Sequence, residues 1–68
     1  MDIIEFKASE IKLKDLLKAT NLIPSGGLAK LVIREEGVLL NDKPCYIAGK
    51  KIYPEDEVIF DGVKIVII

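Results

Sequence analysis

The spacing of apolar positions changes twice along the chain. Within Ile3–Lys7, Ile4 and Phe6 alternate with Glu5 and Lys7, the period of a half-buried strand. After Lys12, Leu13, Leu16, Leu17 and Thr20 recur at helical spacing and predict a short amphipathic helix over residues 13–20, with Lys14 and Lys18 one turn apart on its polar face. Asn21 suits a left-handed terminator, and Pro24 disfavours helix in the residue before it, so Leu22-Ile23-Pro24 predicts an extended linker. A second helix is expected over residues 26–36, with Ser25 as N-cap, Leu28, Leu31 and Val32 as its apolar stripe, and Gly37 where the terminus needs positive φ. Lys30 and Arg34 lie one turn apart, clear of that stripe. Gly26 and Gly27 are poor formers of a first turn, costing roughly 1 kcal/mol each against alanine in a helix interior. Either the helix starts loosely there or another backbone or a ligand comes close.

From Val38 onward the chain reads as sheet. Val38-Leu39-Leu40 predicts a strand, and Asn41-Asp42 a turn pair that tolerates left-handed geometry. Lys43 to Ala48 is expected to be irregular or weakly extended, with Pro44 kept out of a central ladder. Lys51-Ile52-Tyr53 is short and extended, and Pro54-Glu55-Asp56 turns into the strand Glu57-Val58-Ile59-Phe60. Asp61-Gly62 is a two-residue hairpin signal leading into Val63–Ile68. Both faces of that last strand are apolar; burial of both inside the molecule is the expectation, and a protein partner on one of them is the alternative. The order of one strand, two helices and then three to four strands defines an α+β domain, a helix hairpin on one mainly antiparallel sheet. Its expected core is Leu13, Leu16, Leu17, Leu28, Leu31, Val32, Val38, Leu40, Val58 and Phe60.

Composition narrows the chemistry. The 68 residues make one domain, 1–68, whose short chain buries only about 60% of its unfolded surface. The absence of histidine removes Ser-His and Cys-His nucleophile pairs and imidazole metal ligands, so no enzyme and no cofactor are expected. Cys45 has no partner for an internal disulfide, and nothing beside it in sequence except Lys43 would activate its thiol. Glu35-Glu36 and Glu55-Asp56-Glu57 lack the spacing of metal ligands and read as solvated surface. The longest charge-free run, 11 residues from Ala19 to Ala29, is too short for the roughly 20 apolar residues of a membrane span. With an acidic start at Asp2 and Glu5, the expected location is the cytoplasm, with no membrane partner.

The net charge of −1 conceals an uneven distribution. Residues 7–34 carry six cations (Lys7, Lys12, Lys14, Lys18, Lys30 and Arg34) against Glu10 and Asp15, whereas residues 35–68 carry four cations against seven acids. Charge alone fits solubility and polyanion binding equally well.

Four segments in order carry a more specific pattern. They are Lys12-Leu13-Lys14-Asp15-Leu16-Leu17, Ser25-Gly26-Gly27-Leu28-Ala29-Lys30, Arg34 through Lys43, and Pro54-Glu55-Asp56-Glu57-Val58. Together they resemble the RNA-binding domain named after small-subunit ribosomal protein S four, the alpha-L motif, and most of all its small stand-alone YaaA/YbcJ-like branch. The resemblance spans roughly residues 11–60. It implies RNA lying across the helix hairpin and the edge beside it. It also implies basic contacts at Lys12, Lys30 and Arg34, a turn contact at Asn41 and Lys43, and a further basic pair at Lys50 and Lys51. Departures weaken the pattern: Lys14 stands where an aspartate N-cap is common, Gly26 replaces a frequent arginine, and Asp42 and Glu55 replace turn glycines. Ile47 and Ala48 are apolar where arginines occur, which predicts modest affinity. At Ser25, Gly26 and Gly27, backbone N–H groups remain available to an anion.

The resemblance implies a non-catalytic, bacterial, monomeric binder of structured ribosomal or transfer RNA, associated with the ribosome and translation, with no small-molecule substrate. With no tryptophan, Tyr46 and Tyr53 are the only stacking surfaces on offer, and packing is the role expected of both, so it should read RNA shape and backbone more than sequence. The alternative is a β-grasp-like or similar protein-interaction adaptor. A sulfur carrier of that shape is excluded, because its reactive C-terminal Gly-Gly is replaced here by Ile65-Val66-Ile67-Ile68.

Overall fold

A computed structural model describes all residues from Met1 to Ile68. In chain order the elements are β1 (Asp2–Phe6), β2 (Ile11–Lys12), α1 (Leu13–Ala19), α2 (Gly26–Glu35), β3 (Val38–Leu40), β4 (Lys43–Cys45), β5 (Lys51–Ile52), β6 (Glu57–Phe60) and β7 (Val63–Ile67). Two helices pack on a sheet ordered β1-β7-β6-β3-β4, antiparallel except where β1 runs parallel to β7. The α+β architecture and the helix hairpin agree with the sequence pattern. A separate antiparallel ribbon of β2 and β5, with Ile11 opposite Ile52 and Lys12 opposite Lys51, stands beside the one sheet expected.

Turn chemistry sets the register. Asn41 and Asp42, at φ 51° and 68°, close β3 onto β4 with Leu40 opposite Lys43. Asp61 and Gly62, at 51° and 77°, close β6 onto β7 with Phe60 opposite Val63. Both central residues of each loop are left-handed, which matches the twist of the flanking strands. Pro44 sits on β4, an edge strand, where its missing N–H is tolerated. Glu55 adopts φ 78° where a glycine would be unstrained.

The linker between the helices departs from the extended form expected. Asn21 terminates α1 at φ 61°, and the amides of Leu22 and Ile23 then fold back onto the Leu17 carbonyl at 3.1 and 3.2 Å. This bend tucks Ile23 into the core, which it joins with Leu13, Leu16, Leu17, Ala29, Ile33, Val38, Ala48, Ile52, Val58, Ile65 and Ile67. No polar side chain is buried.

The buried face of α2 differs from the expected one. Leu28 and Leu31 are 43% and 52% exposed, while Ala29 and Ile33 are fully buried. Leu28-Leu31-Val32 and Ala29-Val32-Ile33 have the same i, i+3, i+4 spacing, so periodicity fixes the existence of a stripe and leaves its phase open. The small Ala29 lets the helix come close to its neighbours, and the β-branched Ile33 fills the next turn. Leu40 and Phe60, also expected in the core, are partly buried and pack against it. The final strand is covered on one face only: Ile65 and Ile67 are buried, Val66 is half-buried and Ile68 is exposed. A row of outward positions, Ile3–Lys64–Ile59–Leu39–Pro44, therefore crosses all five strands on the side away from the helices.

Ile33→Ala should lower the unfolding free energy by about 2–5 kcal/mol, as for other buried large-to-alanine changes. That is a major part of the roughly 3–10 kcal/mol expected for a domain of this length. Leu31→Ala should change it by no more than about 0.5 kcal/mol, and urea denaturation of the two variants side by side measures the contrast.

Candidate nucleic-acid interface

Helix α1 begins without a side-chain cap: its N-cap is Lys12, not Lys14, and the Lys12 side chain accepts nothing. Its first free amides find backbone instead. The N–H of Leu13 donates to the Lys50 carbonyl at 2.9 Å, and that of Lys14 to the Ala48 carbonyl at 3.0 Å. These bonds and the β2–β5 ladder draw Lys12, Lys14, Lys50 and Lys51 together from two distant segments. Lys12 and Lys51 face each other directly across the ribbon, both exposed, with Ile11 and Ile52 on its other side. Like charges in that relation repel, and an anion between them removes the repulsion. Lys14 makes a loose 3.8 Å contact with Asp15, which leaves it mostly free.

Helix α2 carries the other group. The Ser25 Oγ accepts from the Leu28 amide at 3.2 Å, the expected N-cap. A Cβ added to Gly26 or Gly27 would meet nothing within 4 Å, so no protein backbone approaches them and that part of the expectation is not met. Lys30 and Arg34 are exposed, each one residue beyond a buried position, Ala29 and Ile33. The exposed Leu28 and Leu31 share the helix's outer arc with them.

The turn residues divide their roles. The Asn41 side chain is occupied on both sides: its Nδ2 donates to Asp56 at 3.0 Å and its Oδ1 accepts from the Glu57 amide at 2.9 Å. The other Asp56 oxygen accepts from the Tyr53 amide at 2.8 Å. Asn41 thus pins the β3–β4 turn to the turn before β6. Lys43, Lys50 and Lys51 line one open groove of about 740 Å³ beside these residues. None of Ser25, Gly26, Gly27, Lys30 or Arg34 lines it.

The tyrosines depart from the packing role expected of them. Tyr46 and Tyr53 are 54% and 45% exposed, and both line the groove instead of packing inside. Tyr46 leans on the Gly37 backbone: a Cβ at Gly37, which sits at φ 77°, would lie 2.7 Å from the ring. Their signal in the sequence was their closeness to lysines, Tyr46 between Lys43 and Lys50 and Tyr53 two residues after Lys51. Lys64, by contrast, lies on the far face of the sheet, 2.7 Å from Glu57, whose hydrogen bond and charge hold the ammonium pKa above its ordinary 10.5. No helix of the molecule is long and apolar enough to cross a membrane.

Two helices packed on a small, mainly antiparallel sheet form an α+β fold consistent with an S4-type domain. The chain matches the S4 domain family over residues 4–68 and belongs to it. It is also similar to the probable ribosome maturation protein RlbA of Bacillus subtilis (strain 168), with 39% identity over 59 residues, covering 87% of this chain and 83% of that one. No solved structure matches it.

Gly37→Ala should cost about 1–2 kcal/mol through the left-handed backbone alone. The new Cβ should also displace the Tyr46 ring, which would register as a changed ring chemical shift in an NMR spectrum.

Proposed function

We propose that the protein is a non-catalytic, monomeric, cytoplasmic binder of structured RNA, ribosomal or transfer, which it meets on or during assembly of the ribosome. The observation that carries this reading is the Lys12–Lys51 pair, two exposed cations held face to face with no acid between them in the ribbon. Lys14 and Lys50 flank that pair. Lys30 and Arg34 supply a second set of phosphate contacts, and arginine adds bidentate geometry. Around Ser25, Gly26 and Gly27 the open space at the start of α2 admits a phosphate to backbone N–H groups. Lys43 extends the surface, and Asn41 serves it by fixing the turn. Membership of the S4 domain family and the ribosome maturation relative support the same reading.

Replacing both Lys30 and Arg34 by alanine should weaken RNA binding at low salt and reduce the slope of log affinity against log salt by about 1.4–1.8. Lys64→Ala, on the opposite face, should leave the slope unchanged. Equal losses in the two proteins would show that charge acts as a diffuse field and that the helices are not the site.

The Gly26→Ala and Gly27→Ala double variant asks a different question. Nothing in the fold obstructs the two methyl groups, so the protein should be as stable as before or more so by up to about 1 kcal/mol each. RNA affinity should nevertheless fall if phosphate packs against that turn. Filter binding and thermal melting on one preparation separate the two effects.

The adaptor reading draws on Leu28 and Leu31, apolar and exposed beside the cations. Protein partners that stay bound after ribonuclease treatment would favour it.

A further inference from the structure

The groove beside β4 combines two features that phosphate binding alone does not require. Three lysines, Lys43, Lys50 and Lys51, share it with Tyr46 and Tyr53, both about half exposed. Its one carboxylate, Asp56, has both oxygens engaged by Asn41 and the Tyr53 amide, so it is held in place as part of the wall. The volume of about 740 Å³ lies within the range of sites that take a small organic group, roughly 300–1,000 Å³. Tyr46 is propped on Gly37, a position whose left-handed backbone and lack of a side chain let the ring lie against the chain. A ring supported in this way loses little conformational freedom when a flat partner stacks on it. A partner with a planar face and a negative charge next to it fits this groove, and an unpaired nucleotide has both.

We infer that this groove takes an unpaired nucleotide of the bound RNA, its base stacked on Tyr46 or Tyr53 and its phosphates on Lys43, Lys50 and Lys51. The inference rests on the RNA-binding reading above and specifies its substrate: a structured RNA with an unpaired nucleotide next to the stem. A fully paired helix has no free base face to offer, because its bases are stacked on one another. The helix cations hold the backbone of the structured part, and the tyrosines tell a free base from a paired one.

The test uses the intact chain, whose emission comes from its two tyrosines because it contains no tryptophan; affinities are read from the anisotropy of dye-labelled probes, since the double variants keep no tyrosine. The probes are a short oligoadenylate of about eight nucleotides, within the site sizes of single-strand binders, an abasic strand of the same length, and a blunt RNA duplex. Oligoadenylate should quench the tyrosine emission and bind about five-fold or more tighter than the abasic strand, as expected for at least one stacked base. Tyr46→Leu together with Tyr53→Leu should abolish that preference while leaving duplex binding and its salt slope as in the parent. Tyr46→Phe with Tyr53→Phe should retain the preference, because phenylalanine keeps the ring; equal binding of oligoadenylate and abasic strand by this variant would overturn stacking. Circular dichroism and thermal melting of each variant check that it folds. If the parent binds the duplex but treats oligoadenylate and abasic strand alike, the groove assignment is wrong and the RNA-binding reading stands. If the parent binds none of the three, both fall.

Discussion

Everything distinctive in this molecule follows from how the first helix begins. Lys12 provides no cap, and the amides of Leu13 and Lys14 are closed by the carbonyls of Lys50 and Ala48. That closure fixes the loop before β5 against the helix and pairs β5 with β2. It also places Lys51 opposite Lys12, an arrangement that is unfavourable by itself. The magnitudes show why it holds. Two hydrogen bonds contribute about 1 kcal/mol each, and burying Ile52 contributes about 1.5–3 kcal/mol. The repulsion of an exposed cross-strand pair amounts to some tenths of a kcal/mol. Packing wins, and the charge repulsion persists as a site suited to an anion.

A slightly acidic protein can present a cationic surface because screening makes charge local. At physiological ionic strength, exposed charges separated by more than about 8 Å interact weakly. The acids here are largely placed at turns and on the far side of the sheet. Glu57 is held by Lys64, and Asp56 is tied to Asn41 and to the Tyr53 amide. The lysines of the ribbon are left with little to neutralise them. Net charge is therefore a poor guide to this surface, and the pairing of β2 with β5 a good one.

Left-handed backbone recurs where the sequence departs from glycine. Asn41, Asp42, Asp61 and Asn21 accept positive φ readily, because short polar side chains tolerate that region, whereas Glu55 does not share the advantage. Glu55 is held there by its surroundings: its amide donates to the Ile67 carbonyl at 2.8 Å, and the Ile67 amide donates to the Asp56 carbonyl at 3.0 Å. The same turn anchors Asp56, so the strain at Glu55 sits beside the wall of the groove.

The sequence by itself determined whatever depends on neighbours along the chain. The two helices, the Ser25 cap, the left-handed Asn21 and Gly37, the Asn41-Asp42 turn, the Asp61-Gly62 hairpin and the exclusion of Pro44 from a central ladder are local preferences, and each was legible; that Lys43–Cys45 pairs with β3 as a strand was not. So were the candidate cations and the family pattern that connects them. The tertiary structure decided what depends on neighbours in space. Leu28 and Ala29 begin stripes of equal spacing, and only contact with the rest of the core selects the one through Ala29 and Ile33. The parallel pairing of β1 with β7 joins the two ends of the chain, and β2 with β5 joins segments about forty residues apart. The exposure of Tyr46 and Tyr53 depends on a groove whose walls come from several such segments. Periodicity reports that a face is apolar. Which face is covered depends on the volume and shape of what packs against it, and a one-dimensional pattern does not contain that information.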